Sequence, residues 1–218
     1  MRIDGHIHTP FCPHGTSDAL IDYIEHAIKH SFTHISFTEH APLPTNFDDP
    51  TPDKDSGMQR KFLEPYFEQL AELKQFYKDK LHIQIGLEVD FIAGYEKETT
   101  MFLNEVGPRL DDAILSVHFL KFQNDYCCID FSADEFARFA KQVGSVSAVY
   151  DLYYKTVQQS ILADLGPYKP KRIGHPTLVH KFQHAHKEAI DDAAQIRATL
   201  QLMADHGYEL DFNSAGLS

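Results

Sequence analysis

Short apolar runs alternate with longer amphipathic segments along most of the chain. The apolar runs predict strands at residues 3–9, 34–38, 82–89, 113–119, 172–174 and 209–212. Apolar positions at helical spacing predict helices over residues 20–28, 62–73, 149–165 and 189–204. Strands that alternate with helices pair in parallel, so the sequence predicts an α/β fold, either an open doubly wound sheet or a barrel.

One segment breaks this alternation. Residues 121–130 contain Asn124 and Asp125 between two short runs, which predicts a hairpin or a loop excursion that could cover a site. No linker and no internal repeat divides the predicted strands and helices. Residues 1–218 are therefore interpreted as a single domain.

The composition excludes several classes of protein. Hydrophobic residues make up 43% of the chain and charged residues 24%, which is typical of a globular protein and not of a disordered one. The net charge of −12, without a dense run of lysine or arginine, disfavours nucleic acid as a partner. The sequence has no apolar run of about 18 residues and no signal-peptide pattern, so we expect neither membrane insertion nor export. Cys12 and the adjacent Cys127 and Cys128 cannot all pair, which favours a cytoplasmic location.

Histidine is the unusual component, at 14 residues. Each predicted strand ends in, or just before, a side chain able to bind a ligand: His6, His40, Glu88, His118, His175 and Asn213. The C-terminal ends of parallel strands meet at one edge of a sheet, where α/β proteins build their active sites. Such a cluster has no simple electrostatic reason to exist unless cations fill it. We therefore predict a polynuclear metal site.

The first strand contributes two imidazoles. His6 and His8 lie on one side of an extended strand and can chelate one or two ions, although a packed or surface pair is the alternative for this short motif. His14 follows in a loop flanked by proline and could return to the same edge or remain solvated.

The second and third strands add a carboxylate to the predicted cluster. Glu39 and His40 are consecutive, so their side chains point in different directions, and we expect His40 to face inward. Glu88 follows the apolar run Ile85-Gly86-Leu87, which is suited to burial, where a carboxylate between cations is stabilised and an unpaired one is costly.

Seven other histidines are not expected in the site. Five lie in helical or polar surroundings and are interpreted as solvated: His26, His30, His184, His186 and His206. His34 and His82 begin their strands, so they belong to the opposite end of the sheet.

These motifs resemble the PHP (polymerase and histidinol phosphatase) family of metallohydrolases, and more closely its histidinol-phosphate phosphatase branch. The likeness spans almost the whole chain and rests on residues 4–9 (DGHIHT), 11–15 (FCPHG), 38–44 (TEHAPLP), 86–88, 116–119 with 129–130, and 173–176 (IGHP), in that order. The resemblance implies a distorted (β/α)7 TIM-like barrel that holds up to three divalent ions, usually zinc, iron or manganese. The implied metal ligands are His6, His8, His14, His40, Glu88, His118 and His175. Asp4 and Glu39 are then expected to orient a ligating imidazole, although Asp4 could equally be a residue that only starts the strand.

Two departures from the family pattern concern the end of the chain and the phosphate. Relatives continue to a further strand that carries an Asp-x-His pair. We therefore expect either that the last βα unit is absent here through truncation or that this member of the family is unusually short. We also expect that a version of the chain continued past Ser218 would be more active. An arginine expected within residues 178–182 is replaced here by His180, and the basic residue expected after Leu217 by Ser218. His180 or Lys181 could take over the phosphate contact, without the bidentate grip of arginine.

The resemblance implies hydrolysis of a phosphomonoester, with histidinol phosphate as the substrate in histidine biosynthesis. A metal-activated water is the expected nucleophile, so no side-chain nucleophile is required. Two alternatives remain open. The enzyme could act on another small phosphate ester or a nucleotide, or the chain could be a catalytically silent binding domain. The sequence does not indicate the oligomeric state.

Overall fold

The main sheet is parallel and has six strands in the order β1-β2-β3-β4-β7-β8. The computed structural model describes residues 1–186 and 188–212. The strands are β1 (Ile3–Ile7), β2 (His34–His40), β3 (His82–Asp90), β4 (Asp112–Ser116), β5 (Phe119–Phe122), β6 (Asp125–Cys128), β7 (Arg172–Ile173) and β8 (Glu209–Leu210). The helices are α1 (Leu20–Lys29), α2 (Leu63–Tyr77), α3 (Glu96–Val106), α4 (Ala133–Val143), α5 (Val146–Leu162) and α6 (Ala193–Asp205).

The central strands are hydrophobic because both of their faces are covered. In β3 every residue from Ile85 to Asp90 is buried, as expected for a parallel strand between helices. Helix α1 buries Leu20, Ile24 and Ala27, whose spacing of three and four residues defines one face. The predicted α/β fold with a parallel sheet is therefore confirmed.

Two helices were not predicted. Helix α3 buries only Thr99, Leu103 and Val106, so its apolar face is too sparse to give a clear helical pattern. Helix α4 begins at a clear cap, since the Ser132 hydroxyl accepts a hydrogen bond from the Glu135 amide at 3.1 Å. It lies just after residues 121–130, the segment assigned to a hairpin or loop excursion, and no element was assigned to its own residues.

The hairpin predicted for residues 121–130 is confirmed, with a small shift. Strands β5 and β6 pair antiparallel, with Phe119 opposite Cys128 and Phe122 opposite Asp125. The hairpin is attached to the loop after β3, because the Tyr126 hydroxyl donates to the carbonyl of Ala93 at 2.7 Å. The predicted strand 113–119 is consequently divided between β4 and β5.

The sheet is curled, and Arg172 joins its distant strands. From β7, the Arg172 guanidinium donates to Asp112 on β4 at 2.5 Å, to Asp211 after β8 at 2.6 Å and to the Gly5 carbonyl on β1 at 2.8 Å. The strands β1 and β8 are the two edges of the sheet order, so these bonds bring its ends toward one another.

The described residues contribute six strands to the main sheet, and a seventh strand of the barrel implied by the resemblance is not among them. Asn213 and Ser218, together with the residues between them, lie outside the described part of the chain. Within residues 1–186 and 188–212, no helix combines the length and the apolar character needed to cross a bilayer.

Candidate metal centre

Glu88 lies at the centre of a group of histidines at the C-terminal edge of the sheet. Its Oε2 lies 3.2 Å from His6 Nε2, 3.4 Å from His8 Nε2 and 3.4 Å from His40 Nδ1. Its Oε1 faces the other side of the cluster, which the next strands supply. One carboxylate thus has histidines around both oxygens, an arrangement suited to bridging two cations.

The second oxygen of Glu88 faces His175, His118 and Ser116. The distances from Oε1 are 2.9 Å to His175 Nε2 and 3.7 Å to His118 Nε2, and the Ser116 hydroxyl donates to it at 2.5 Å. Burial alone would raise the pKa of Glu88, but the charges of His40 and His118 and the hydrogen bonds from His175 and His6 hold it well below its usual value. Glu88 is therefore a buried anion.

Two carboxylates fix the orientation of histidines in this cluster. His6 Nδ1 lies 2.8 Å from Asp211 Oδ2, and His118 Nδ1 lies 2.7 Å from Asp90 Oδ1. A carboxylate only accepts hydrogen bonds, so each Nδ1 carries a proton that stays with its carboxylate, and each Nε2 points toward Glu88. A cation that replaces the proton on Nε2 would therefore find each ring already in the tautomer that a metal ligand needs.

The same two pairs explain the acid–base behaviour of these histidines in the metal-free protein. Burial disfavours the charged form of His6, but its hydrogen bonds to Asp211 and Glu88 outweigh burial and raise its pKa to about 9. Burial acts in the same way on His118, and the charges of Asp90 and Glu88 raise its pKa to about 10. Without metal, the anions around these rings favour protons in the positions where cations would bind.

Glu39 performs a similar task for His8. Its Oε1 lies 3.2 Å from His8 Nδ1, while Oε2 accepts the Thr9 amide at 2.8 Å and the Thr9 hydroxyl. Burial opposes the charged form of Glu39, but the hydrogen bonds from His8, Cys12 and Thr9 lower its pKa. Glu39 is thus a fully buried anion that orients His8, and His40 is the neighbour that faces the cluster.

His14 and His40 complete the cluster on the side of the first loop. The ring of His40 lies 4.4 Å from that of His8, 4.8 Å from that of His14 and 5.1 Å from that of His118, measured between centroids. The seven side chains predicted from strand ends and the first loop are therefore brought together.

The donor atoms fit divalent metal ions. His40 Nδ1 and His175 Nδ1 are buried and make no hydrogen bond within the described residues. Burial lowers the pKa of His40 well below its usual value, against the effect of Glu88, so this ring is neutral and has a free lone pair. Groups of three donors within 4.8 Å of one another occur at His6 with His8 and Glu88, and at Glu88 with His118 and His175. Imidazole nitrogens and carboxylate oxygens are ligands of zinc, iron and manganese.

The backbone around His175 allows His175 and Ser116 to reach Glu88. A Cβ atom on Gly174 would lie 2.0 Å from the Ser116 hydroxyl oxygen, so only glycine lets Ser116 reach Glu88. His175 itself has a positive φ of 21°, and its carbonyl accepts a hydrogen bond from the Tyr153 hydroxyl at 2.9 Å.

Three predicted residues lie elsewhere or have other partners. Asp4 is exposed, and its carboxylate accepts a hydrogen bond from the backbone amide of His6 at 3.3 Å, while Asp211 holds the ring. His180 Nε2 lies 2.7 Å from the Asp192 carboxylate. Lys181 donates to Asp130 at 3.1 Å and lines a cavity that also contains His40 and His118.

The seven histidines that were not expected in the site do lie outside the cluster. One of them, His186, is more buried than the sequence predicted. His34 and His82 are paired across β2 and β3 at the opposite end of the sheet. Four of the other five are exposed: His26, His30, His184 and His206. His186 is half-buried instead, since its ring stacks on Phe136 at 5.8 Å, and the prediction of a solvated His186 is wrong.

Sequence reasoning missed Asp90, Ser116, Asp211 and Arg172. Asp90 could have been found, because it follows Glu88 by two residues and so points to the same side of β3. Asp211 lies 205 positions from His6, and no local pattern connects them.

Comparisons with known proteins agree with this geometry. The family described as the PHP domain matches residues 4–215. A histidinol-phosphatase from Bacillus subtilis is 49% identical over an alignment that covers all of this chain and 82% of that protein. The crystal structure of a candidate histidinol phosphatase from Listeria monocytogenes superposes with a TM-score of 0.91 at 40% identity, covering 99% of this chain and 84% of that one.

A more distant structure shows the same fold. The histidinol phosphate phosphatase of Lactococcus lactis, solved with zinc, L-histidinol and phosphate, has a TM-score of 0.73 at 22% identity and covers 98% of this chain and 73% of that one. The family match spans nearly all of the sequence and includes each residue of the histidine cluster. This chain belongs to the PHP domain family.

Proposed function

We propose that this chain is a metal-dependent phosphomonoester hydrolase that converts L-histidinol phosphate and water to L-histidinol and phosphate. The observation that carries the proposal is the convergence of five histidines on the buried carboxylate of Glu88. The activity of the Bacillus subtilis relative, at 49% identity, supports the choice of substrate.

The proposed metal site holds up to three divalent ions, chosen among zinc, iron and manganese. The ligands are His6, His8, His14, His40, Glu88, His118 and His175. Such ions lower the pKa of a bound water and neutralise the oxygens of a phosphate ester.

The protein's own residues prepare the site for that chemistry. Asp211, Glu39 and Asp90 keep the Nε2 atoms of His6, His8 and His118 directed inward. Ser116 fixes one oxygen of Glu88. These contacts are already in place in the folded protein, so little reorganisation is required when ligands bind.

Lys181 is the proposed basic contact for the phosphate. Its ammonium lies at the wall of the cavity beside the cluster, although it is paired with Asp130. His180 is bound to Asp192 and to the Tyr154 hydroxyl, so we assign it a smaller part in phosphate binding.

A substrate panel tests the proposal. The protein loaded with zinc or manganese is expected to release phosphate from L-histidinol phosphate with a kcat/KM well above that for a nucleoside 3′-monophosphate or p-nitrophenyl phosphate. Equal or better turnover of a nucleotide would remove the assigned substrate and leave the phosphatase activity. Metal binding without phosphate release from any ester would show a silent binding domain.

A further inference from the structure

A cavity of about 310 Å³ opens beside the histidine cluster, and its lining residues are of two chemical kinds. One part of the lining is His14, His40 and His118, which belong to the proposed metal site. The phosphate group of a substrate belongs next to these histidines, with the cations.

The other part of the lining is acidic. It contains Asp53 and Asp55, together with Thr51 and Ser56. The half-buried Asp55 carboxylate makes no hydrogen bond or ion pair with any described residue. A negatively charged wall repels a phosphate group and attracts an organic cation, so it is suited to the part of the substrate that is not phosphorylated.

The loop that carries these carboxylates is held rigidly. The buried Asp49 carboxylate accepts hydrogen bonds from the backbone amides of Thr51 at 2.9 Å and Ser56 at 3.0 Å, and from both of their hydroxyls. These bonds close the turn from 49 to 56 and fix the position of Asp55. A fixed carboxylate loses little conformational entropy when it binds a ligand.

The positive charge of the same loop is directed away from the cavity. Lys54 donates to Asp48 at 2.6 Å and to the Asp49 carbonyl, and it does not line the cavity. Asp130 also lines the cavity, but it is paired with Lys181. Asp53 and Asp55 therefore line the cavity without a cationic partner among the described residues, and Asp55 is the half-buried one of the two.

An aromatic ring lies at the same cavity. Phe131, which follows Asp130 in the chain, lines the cavity and is 44% exposed, so its ring is accessible to a ligand. An exposed ring beside a carboxylate offers a stacking surface for a flat heterocycle.

We propose that Asp55 binds the ammonium group of the substrate, and that Phe131 covers its ring, so that this cavity selects phosphate esters of cationic amino alcohols. The inference rests on the proposed function and deepens it, because it names the group that distinguishes L-histidinol phosphate from other small esters. Asp55 is a specificity-determining residue in this account, and Asp53 adds to the negative potential around it.

The test compares two substrates that differ by one amino group. These are L-histidinol phosphate and its des-amino analogue, 3-(imidazol-4-yl)propyl phosphate. In the metal-loaded protein, Asp55→Asn is expected to lower kcat/KM for L-histidinol phosphate by roughly 10- to 100-fold, as expected for loss of a charge-assisted hydrogen bond, mainly through KM. For the des-amino ester, kcat/KM is expected to stay within about twofold, because that ester has no ammonium to bind.

Asp48→Asn is the matched control, since it removes a carboxylate from the same loop that does not line the cavity. It is expected to leave kcat/KM for both esters within about twofold of the wild-type values. An equal loss on both esters in Asp55→Asn, or no loss on either, would overturn the proposed subsite.

A binding measurement separates this inference from the proposed function. By calorimetry, L-histidinol is expected to bind the metal-loaded protein roughly 10- to 100-fold more tightly than 3-(imidazol-4-yl)propan-1-ol, with the difference lost in Asp55→Asn. Discrimination between the alcohols without hydrolysis of either ester would remove the proposed function and retain the subsite. Hydrolysis of both esters without discrimination would retain the function and remove the subsite.

Discussion

Asp211, just after the last described strand, accepts a hydrogen bond at 2.8 Å from Nδ1 of His6 on the first strand. The same carboxylate accepts a second bond from Arg172 at 2.6 Å. Asp211 therefore joins the frame of the curled sheet to the orientation of one proposed metal ligand. Fold and site are coupled at this residue.

Asp211→Asn is expected to weaken metal binding by about 10- to 100-fold, because an amide no longer restricts His6 to one tautomer. Activity should recover in part at saturating metal, since His6 itself remains. Titration of the metal-free protein with zinc, followed by phosphate release, measures both effects. Asp205→Asn, on an exposed residue at the end of α6, is the control. Identical zinc affinity in the two variants would contradict the assigned role of Asp211.

Glu88→Gln is expected to remove at least one ion per chain and to lower kcat by more than about 100-fold. The amide is nearly the same size, but it cannot supply the negative charge that balances bound cations. Elemental analysis of the purified protein counts the ions, and circular dichroism checks the fold. Glu64→Gln, on an exposed carboxylate, provides the comparison. Wild-type metal content in Glu88→Gln would show that Glu88 is not a ligand.

Gly174→Ala is expected to destabilise the protein by about 1 to 3 kcal/mol, because the added Cβ would lie 2.0 Å from the Ser116 hydroxyl oxygen. Part of this cost should disappear in the Ser116→Ala background, where the clashing oxygen is absent. A double-mutant cycle by urea unfolding measures the coupling between the two positions. Strict additivity of the two changes would mean that Ser116 does not set the requirement for glycine.

Metal removal is expected to lower both activity and the thermal midpoint. The metal-free cluster crowds six imidazoles and four carboxylates together, and bound cations stabilise the folded state by mass action. Zinc affinity should fall as the pH falls, because the ligating histidines must lose their protons first. Thermal unfolding with a chelator, and then with zinc restored, tests this at two pH values. A midpoint unaffected by the chelator would indicate that no ion is bound in the folded protein.

The positions of His40, Glu88 and His175 were predictable because each lies at or just past the end of a short apolar run, and such runs are local features of the sequence. His14 lies in a loop, and only the resemblance to the family placed it among the ligands. The partners that orient the rings were harder to predict. Asp4 is next to the motif in sequence, yet Asp211, which is distant in sequence, holds His6, because the curl of the sheet decides which carboxylate is near.

The helices also fall into those that a local pattern predicts and those that depend on tertiary packing. The apolar face of α1 repeats regularly and was predicted. The buried face of α3 includes Thr99, which a hydrophobic pattern does not count. Burial of that threonine follows from tertiary packing and from its hydroxyl, which donates to the Tyr95 carbonyl at 3.0 Å.

The location of the ions tests the central claim most directly. Crystals of the zinc-loaded protein, with anomalous difference maps collected at the zinc edge, are expected to show peaks on both sides of Glu88. The peaks should lie about 2.0 to 2.2 Å from the Nε2 atoms of His6, His8 and His175 and from the Glu88 oxygens. A protein that hydrolyses L-histidinol phosphate but shows no anomalous peak within reach of Glu88 would contradict the account.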